Sequence, residues 1–362
     1  MKTQLIICLD GCSPEYITAA DTPNLDAIAR QGFHAVGRAA LPTVTNVNNT
    51  TIITAHRPAV HGITCNYYRD RTDGSEFYME SAEFVLAPTL FQRLAARGRS
   101  TALLTAKNKL KTLIQAGAGM AESAEDPPSW LVDRIGPPPH VYSIEVNHWL
   151  FRAAREVMRR KAPDFLYVTT TDYVNHKHAP EDERSRWNVS RLDELLGEIM
   201  NAGSDVELVL TADHGMNAKS RALDLNLILK AAGIGGHAIP IIKDRYVVHH
   251  KNMGGAAYVY LDQAEEMADA IGLLEAQAGI EQVLTAPQAA RTCHLHPGRI
   301  GDLFVLADEA TVFGALPAPA EAVDIRSHGS RHEQRIPIYA YGPGPVALKP
   351  MANHEVGAWV DP

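Results

Sequence analysis

The tetrapeptide Asp213-His214-Gly215-Met216 follows directly on the apolar run 207–212. A carboxylate and an imidazole placed where a buried strand gives out do little for a core, since each loses hydration without gaining apolar contact. They are good ligands for a divalent ion. The arrangement recurs twice, with Asp10 after the run 5–9 and Asp172 with His176 after the run 165–169. Apolar runs that each end in metal-type ligands call for strands whose ends meet on one edge. In open α/β folds that edge is the carboxyl side of a parallel sheet.

The rest of the pattern agrees. Strands are expected over 5–9, 101–105, 165–169 and 207–212, and helices over 22–30, 89–97, 147–160 and 187–200. Pro23 directly after Thr22 suits the first turn of a helix. Residues 41–46 read as extended and 49–55 as helical. The tract 123–139 holds five prolines and reads as an irregular connection. Alternating strands and helices predict an α/β fold, a mostly parallel central sheet with helices on both faces. After residue 219 the pattern changes to paired strands (245–250 and 256–261, around Gly254-Gly255), a helix over 263–277 and strands over 281–284 and 302–307. Residues 1–219 and 323–362 are therefore expected to form the metal-binding core, and 220–322 an inserted, smaller α+β cap domain.

Composition excludes some functions. The 362 residues carry a formal net charge of −8 and are 21% charged and 46% hydrophobic. No basic stripe is interleaved with aromatics, so nucleic acid is not an expected partner. Four cysteines, Cys8, Cys12, Cys65 and Cys293, form no C-x-x-C pair and read as reduced thiols. The apolar run before Asp10 is shorter than the ~7–15 residues of a signal-peptide core, and nothing approaches the ~18 of a membrane span. The expectation is a cytoplasmic protein without membrane contact. A homodimer is compatible with the sequence and not decided by it.

Asp172 and His176, four apart, share one face if a helix follows the strand. With a third ligand they would hold one ion, and His328 in Ser327-His328-Gly329 is the natural candidate. Asp10, Asp213 and His214 would hold another. Two metals about 4 Å apart can clamp both the attacking and leaving oxygens of an in-line displacement at phosphorus. Thr45, at the expected start of a helix, offers a hydroxyl where free amides and the helix dipole favour an anion.

These pieces, in this order, resemble the alkaline phosphatase superfamily in its nucleotide pyrophosphatase/phosphodiesterase-like branch, and within it the enzymes that hydrolyse phosphonoacetate. The resemblance rests on Cys8-Leu9-Asp10-Gly11-Cys12, Thr45-Asn46-Val47-Asn48-Asn49, Thr105-Ala106-Lys107-Asn108-Lys109, Thr170-Thr171-Asp172-Tyr173-Val174-Asn175-His176, Thr211-Ala212-Asp213-His214-Gly215, Tyr246-Val247-Val248-His249-His250 and Arg326-Ser327-His328-Gly329. It implies two Zn2+ ions, other divalent transition metals being alternatives. One would be held by Asp172, His176 and His328, the other by Asp10, Thr45, Asp213 and His214, with Thr45 as nucleophile. It further implies that Asn66 contacts the phosphonyl oxygen and that Lys107 and Lys109 receive the carboxylate of a small phosphonate substrate. The implied reaction is cleavage of a carbon–phosphorus bond through a phosphothreonine.

Plainer readings stand beside these. An aspartate at a strand end is usually a turn or cap, and a threonine such as Thr45 is usually an N-cap. Lys107 and Lys109 could belong to a solvated face, and His332, four residues beyond His328, competes with it on spacing alone. His249 and His250 could lie near the site on the cap; His61 and His178 read as packing residues. A phosphodiesterase or nucleotide pyrophosphatase would use the same metals and Thr45, and a zinc-binding protein without turnover would keep only the metals.

Overall fold

The computed structural model describes residues 2–202, 205–245 and 252–360. Seven strands form the central sheet: β1 (Thr3–Cys8), β2 (Phe33–Arg38), β3 (Thr101–Thr105), β4 (Met120–Ser123), β5 (Phe165–Thr169), β6 (Val206–Thr211) and β7 (Arg335–Tyr341). Their order across the sheet is β2-β7-β6-β1-β5-β3-β4. The run β6-β1-β5-β3-β4 is parallel, while β7 pairs antiparallel with both β6 and β2. The fold is therefore α/β with a mostly parallel central sheet.

Strand β1 shows why the sheet is covered twice. Leu5 and Ile7 point into one apolar cluster, Ile6 and Cys8 into another, and all four are buried. The first cluster is closed by helix Glu145–Arg160 through Val146, Trp149, Leu150, Ala153 and Val157, an i, i+3/i+4 stripe, and by helix Glu183–Met200. The second is closed by helices Thr45–Thr54, Leu90–Ala95 and Asn108–Ile114.

A four-stranded antiparallel sheet lies within 236–307, in the order Gly236–Pro240, Ala256–Leu261, Leu303–Ala307, Ile280–Thr285. Its Ile239, Tyr258, Phe304 and Leu306 join the same apolar cluster as helix Thr45–Thr54. Strands Asn217–Leu223 and Ala320–Ser327 pair antiparallel in a third sheet. The boundaries expected at 219/220 and 322/323 thus fall inside two strands that pair with each other. The expected strand 245–250 lies outside the described residues beyond Arg245.

Three local expectations differ. The proline tract contains helix Ser129–Ile135, because its prolines flank that heptapeptide and none interrupts it; Gly136 ends it at φ +79°. Helix Thr45–Thr54 starts at Thr45, as expected for its hydroxyl, and takes in residues 45–48, which lay outside the helical reading of 49–55. It can be buried despite its polarity because Thr50, Thr51 and Thr54 each return a hydroxyl hydrogen bond to the carbonyl four residues back, at 2.7–2.8 Å. The half-exposed strand β2, an edge of the sheet, had no apolar run to announce it. Among the described residues no helix is long and apolar enough to cross a membrane.

One buried ion pair ties the third sheet to the central one. Lys219 Nζ lies 2.7 Å from Glu333 Oε1, both side chains fully buried, and also donates to the Glu309 carbonyl. Glu333 in turn accepts from Ser330 and Asn217, and its carbonyl accepts from Gly215 N. Lys219→Met would leave a buried carboxylate uncompensated, at a cost of roughly 3–5 kcal/mol. Urea denaturation should show that loss; an unchanged midpoint would mean the pair is not needed to hold the two sheets.

Candidate active site

Strands β6, β1 and β5 are neighbours, so their carboxyl ends lie side by side. Asp213-His214, Asp10 and Asp172 leave the sheet there, all buried. The turn after Asp10 needs glycine: Gly11 sits at φ +68°, and a Cβ on it would come within 2.9 Å of the Asp172 Cβ. The turn places Gly11 N on Asp213 Oδ1 at 3.0 Å, while Thr170 Oγ1 accepts from Asp10 N at 2.9 Å. Asp172 stands at the N-cap position of the short helix Tyr173–Lys177, which carries His176. His328 arrives from the loop after strand Ala320–Ser327.

Ligand atoms of Asp10, Asp213 and His214 lie within 4.8 Å of one another, and so do those of Asp172, His214 and His328. His176 Nε2 is 2.9 Å from Asp172 Oδ2, and His328 Nε2 is 3.7 Å from the same oxygen. The rings of His214 and His328 stack with centroids 3.8 Å apart. By compactness His214 joins both groups, whereas the sequence reading grouped His176 with Asp172 and His328. His332 is elsewhere, 2.6 Å from Glu281 Oε2. His61 bonds Thr51 and His178 bonds Asp182. His249 and His250 lie outside the described residues.

The imidazoles settle what the cluster fits. Nδ1 of His176, His214 and His328 faces the carbonyls of Arg326, Gly215 and Thr43 at 2.8, 2.9 and 2.7 Å. A carbonyl only accepts, so each Nδ1 donates to it and each Nε2 is turned toward the carboxylates. An Nε2 facing carboxylate oxygens needs a proton or a metal ion between them, and a carbonyl behind each ring is the usual support of a metal-bound histidine. The carboxylates add to this. Two of them within 4.8 Å repel by roughly 3 kcal/mol at an effective dielectric constant of 20. The structure thus holds two candidate groups for divalent ions.

Titration shifts agree. Burial, then Asp172 and Asp213, push Asp10 well above the usual carboxylate range, with Lys107 opposing. Burial also raises Asp172, but His176, Lys107 and His328 outweigh it and hold that carboxyl well below its usual range. Burial, then His214, keeps His328 far below the usual imidazole value.

Thr45 is the first residue of its helix, and its Oγ1 lies 3.4 Å from Asp10 Oδ1 and 3.3 Å from His214 Nε2. It lines a cleft with Asp10, Asn66, Lys107, Lys109, Asp172, Asp244 and His328, around a cavity of about 70 Å³. Asn66 is buried, and among the described residues its Oδ1 has no hydrogen-bond partner. Lys107 Nζ lies 5.6 Å from the Tyr142 ring centroid. Lys109 is already matched, with Nζ 2.7 Å from Asp244 and 3.3 Å from Glu80.

Supporting residues escaped the sequence reading. Asn49 donates to Asp213 Oδ2 at 3.1 Å and accepts from Tyr167 OH, and Asn175 donates to the Asp10 carbonyl. Asn353 donates to the Asp213 carbonyl. Asn49 and Asn175 lie within the motif segments, four and three residues from Thr45 and Asp172, so helical spacing could have singled them out. Nothing in sequence pointed to Asn353.

The chain matches the type I phosphodiesterase / nucleotide pyrophosphatase family over residues 4–331. It belongs to that family, in the nucleotide pyrophosphatase/phosphodiesterase-like branch of the alkaline phosphatase superfamily. Phosphonoacetate hydrolase from Sinorhizobium meliloti, solved with phosphonoformate, is 31% identical and superposes with a TM-score of 0.87 over 99% of this chain and 95% of that one. Murine ectonucleotide pyrophosphatase/phosphodiesterase 5, 17% identical with a TM-score of 0.72 over 98% of this chain and 93% of that one, shares the fold. Venom phosphodiesterase from Naja atra is 29% identical over 230 residues, 60% of this chain and 26% of the relative. The chain thus spans about a quarter of the length of the venom phosphodiesterases it matches.

Asp10 carries the sign of a testable linkage. Its raised value means the fold favours its protonated form, a contribution to stability that is present below the ordinary carboxylate value and lost as pH rises through the raised one. Metal-free protein should lose stability across that rise, and an added divalent ion should restore it by binding the ionised form. Thermal melts with and without zinc should therefore diverge as pH increases. A zinc-induced gain that shrank with rising pH would contradict this.

Proposed function

We propose that this chain is a zinc-dependent hydrolase that cleaves the carbon–phosphorus bond of phosphonoacetate, giving acetate and phosphate. The observation that carries the reading is the cleft, in which Thr45, Asp10, Asp172 and His328 of the ligand groups, Asn66 and Lys107 line a cavity of about 70 Å³. That is well below the ~300–1,000 Å³ of pockets for drug-sized ligands and favours a substrate of few atoms over a nucleotide. The 31% identical relative was solved with phosphonoacetate bound.

On this reading Asp172, His176 and His328 hold one ion, and Asp10, Thr45, Asp213 and His214 the other. Bound there, the two ions would supply Lewis acidity that offsets charge on the phosphonyl oxygens and eases deprotonation of the hydroxyl. Thr45 Oγ attacks phosphorus in line and gives its proton to the Asp10 carboxylate, whose Oδ1 is 3.4 Å away and which keeps further lone pairs for the ion. The phosphorus–carbon bond breaks, and its electron pair moves to the methylene carbon and delocalises into the carboxylate. Lys107 opposes that developing charge, and a proton from water completes acetate. Water then attacks phosphorus, the bond to Thr45 Oγ breaks, and the hydroxyl recovers its proton. Asn66, buried at the cleft, offers its amide to a phosphonyl oxygen. Lys109 joins the carboxylate site only by exchanging Asp244 or Glu80 for substrate.

Family membership favours phosphodiester hydrolysis as the second reading. Phosphate release from phosphonoacetate, compared with nitrophenol release from a bis(nitrophenyl) phosphate, separates the two. The zinc-loaded protein should prefer phosphonoacetate and lose activity to a chelator; faster diester turnover would overturn the proposal. Thr45→Ala should reduce turnover by several orders of magnitude with the fold intact. Lys107→Ala should cost about 3–4 kcal/mol of barrier, the size of one lost oxyanion contact. A normal rate in Lys107→Ala would remove that lysine from the carboxylate site.

A further inference from the structure

A larger cavity, about 590 Å³, is lined in part by residues 38–41, just ahead of Thr43 and Thr45 in the chain. Its walls come from Leu41 in that segment, Arg57 and Pro58 beyond the helix, Cys293 and His294 from the inserted block, and His354 near the carboxyl end. Among the described residues no aspartate or glutamate lines it, although the chain as a whole carries a net charge of −8.

Three basic side chains meet there, with no carboxylate among the cavity's described lining residues. Arg57 Nε reaches His354 Nε2 at 3.4 Å, and among the described residues its terminal nitrogens meet neither a carboxylate nor a carbonyl. His294 makes no side-chain hydrogen bond among the described residues. It is held at φ +53°, a conformation that non-glycine residues adopt at a cost of order 1–3 kcal/mol. Its carbonyl is fixed by Ala59 N at 2.7 Å, which pins the residue to the segment bearing Arg57. Arg331 and Arg38 also line the cavity, but they are engaged with Glu281 and Gln282 and with Gln334. Burial and then Arg57 depress the imidazole of His294, and burial, Arg57 and His294 depress that of His354, while Glu355 pulls the latter the other way. The wall thus gathers a guanidinium and two imidazoles with no carboxylate among its described lining residues. A concave wall focuses their field, and a guanidinium with free terminal nitrogens suits bidentate pairing with a phosphate.

We infer that Arg57, His294 and His354 form a second, non-catalytic site for a small organic phosphate. The cavity is too large for a bare oxyanion and of the size that takes a phosphorylated sugar. The Leu41 in its wall is two residues from Thr43, whose carbonyl orients His328.

The test is calorimetric titration of the zinc-loaded protein with inorganic phosphate and with ribose 5-phosphate, on wild type and on Arg57→Met. Wild type should show a ribose 5-phosphate site whose affinity falls at least tenfold in Arg57→Met, while kcat/KM of the unliganded variant is unchanged. Binding of inorganic phosphate alone, unaffected by the substitution, would assign all anion affinity to the catalytic cleft and overturn the inference. So would equal ribose 5-phosphate binding by both proteins. If Arg57→Met does not fold, the exposed His294→Ala carries the same comparison, and undiminished ester binding there is equally fatal.

Discussion

Three carboxylates and three imidazoles converge with their ligand atoms facing one another, and the rest of the molecule is arranged to keep them there. Left alone, the cluster opposes its own assembly. Asp10 is driven toward its protonated form by burial and by Asp172 and Asp213, and His328 is denied its proton by burial and His214. A group that bears charge only when a cation arrives is a poor contributor to folding and a good metal ligand. The same opposition explains the carbonyls behind the rings. Without Thr43, Arg326 and Gly215 fixing Nδ1, each imidazole could turn or exchange its proton and leave the cluster.

Topology delivers these groups at low conformational cost. Because β6, β1 and β5 are adjacent and parallel, Asp213, Asp10 and Asp172 come to one edge by strand register alone. His328 lacks that advantage, since it sits on a loop that returns from the third sheet. The loop is held by Glu333, whose carboxylate binds Ser330 and Lys219 while its carbonyl binds Gly215. The buried Lys219–Glu333 pair thus fixes the distance between the His214 turn and the His328 loop. A stretch of apolar packing could fill the same volume without setting that register.

Legibility followed the physics of each signal. The central strands announced themselves as continuous apolar runs because a parallel sheet is buried on both faces. Asp10, Asp172 and Asp213 stood out because each follows such a run, where an acid has no packing role. Helix Thr45–Thr54 was read only in part because its burial depends on threonine hydroxyls satisfying its own carbonyls, which leaves no 3.6-residue apolar period to read. Helix Ser129–Ile135 was hidden by flanking prolines. Spacing alone left His328 and His332 equivalent. Only the tertiary partner separates them, Glu281 for one and the Thr43 carbonyl for the other.

The two lysines illustrate how equal sequence signals can diverge in the fold. Lys107 lies close enough to Asp10 and Asp172 to oppose the charge of both, and among the described residues no carboxylate pairs with it within salt-bridge distance. Lys109, two residues on, is already matched by Asp244 and Glu80, and Arg245 is drawn in on the far side of Glu80. On the proposed reading a substrate carboxylate gains a full counter-ion at Lys107. At Lys109 it only replaces one carboxylate by another, an exchange that is close to neutral in energy because bonds of the same kind are made and broken. The preference for a carboxylate-bearing phosphonate would then rest chiefly on Lys107, and Asp244 and Glu80 would discriminate against anions too weakly held elsewhere in the cleft to displace them.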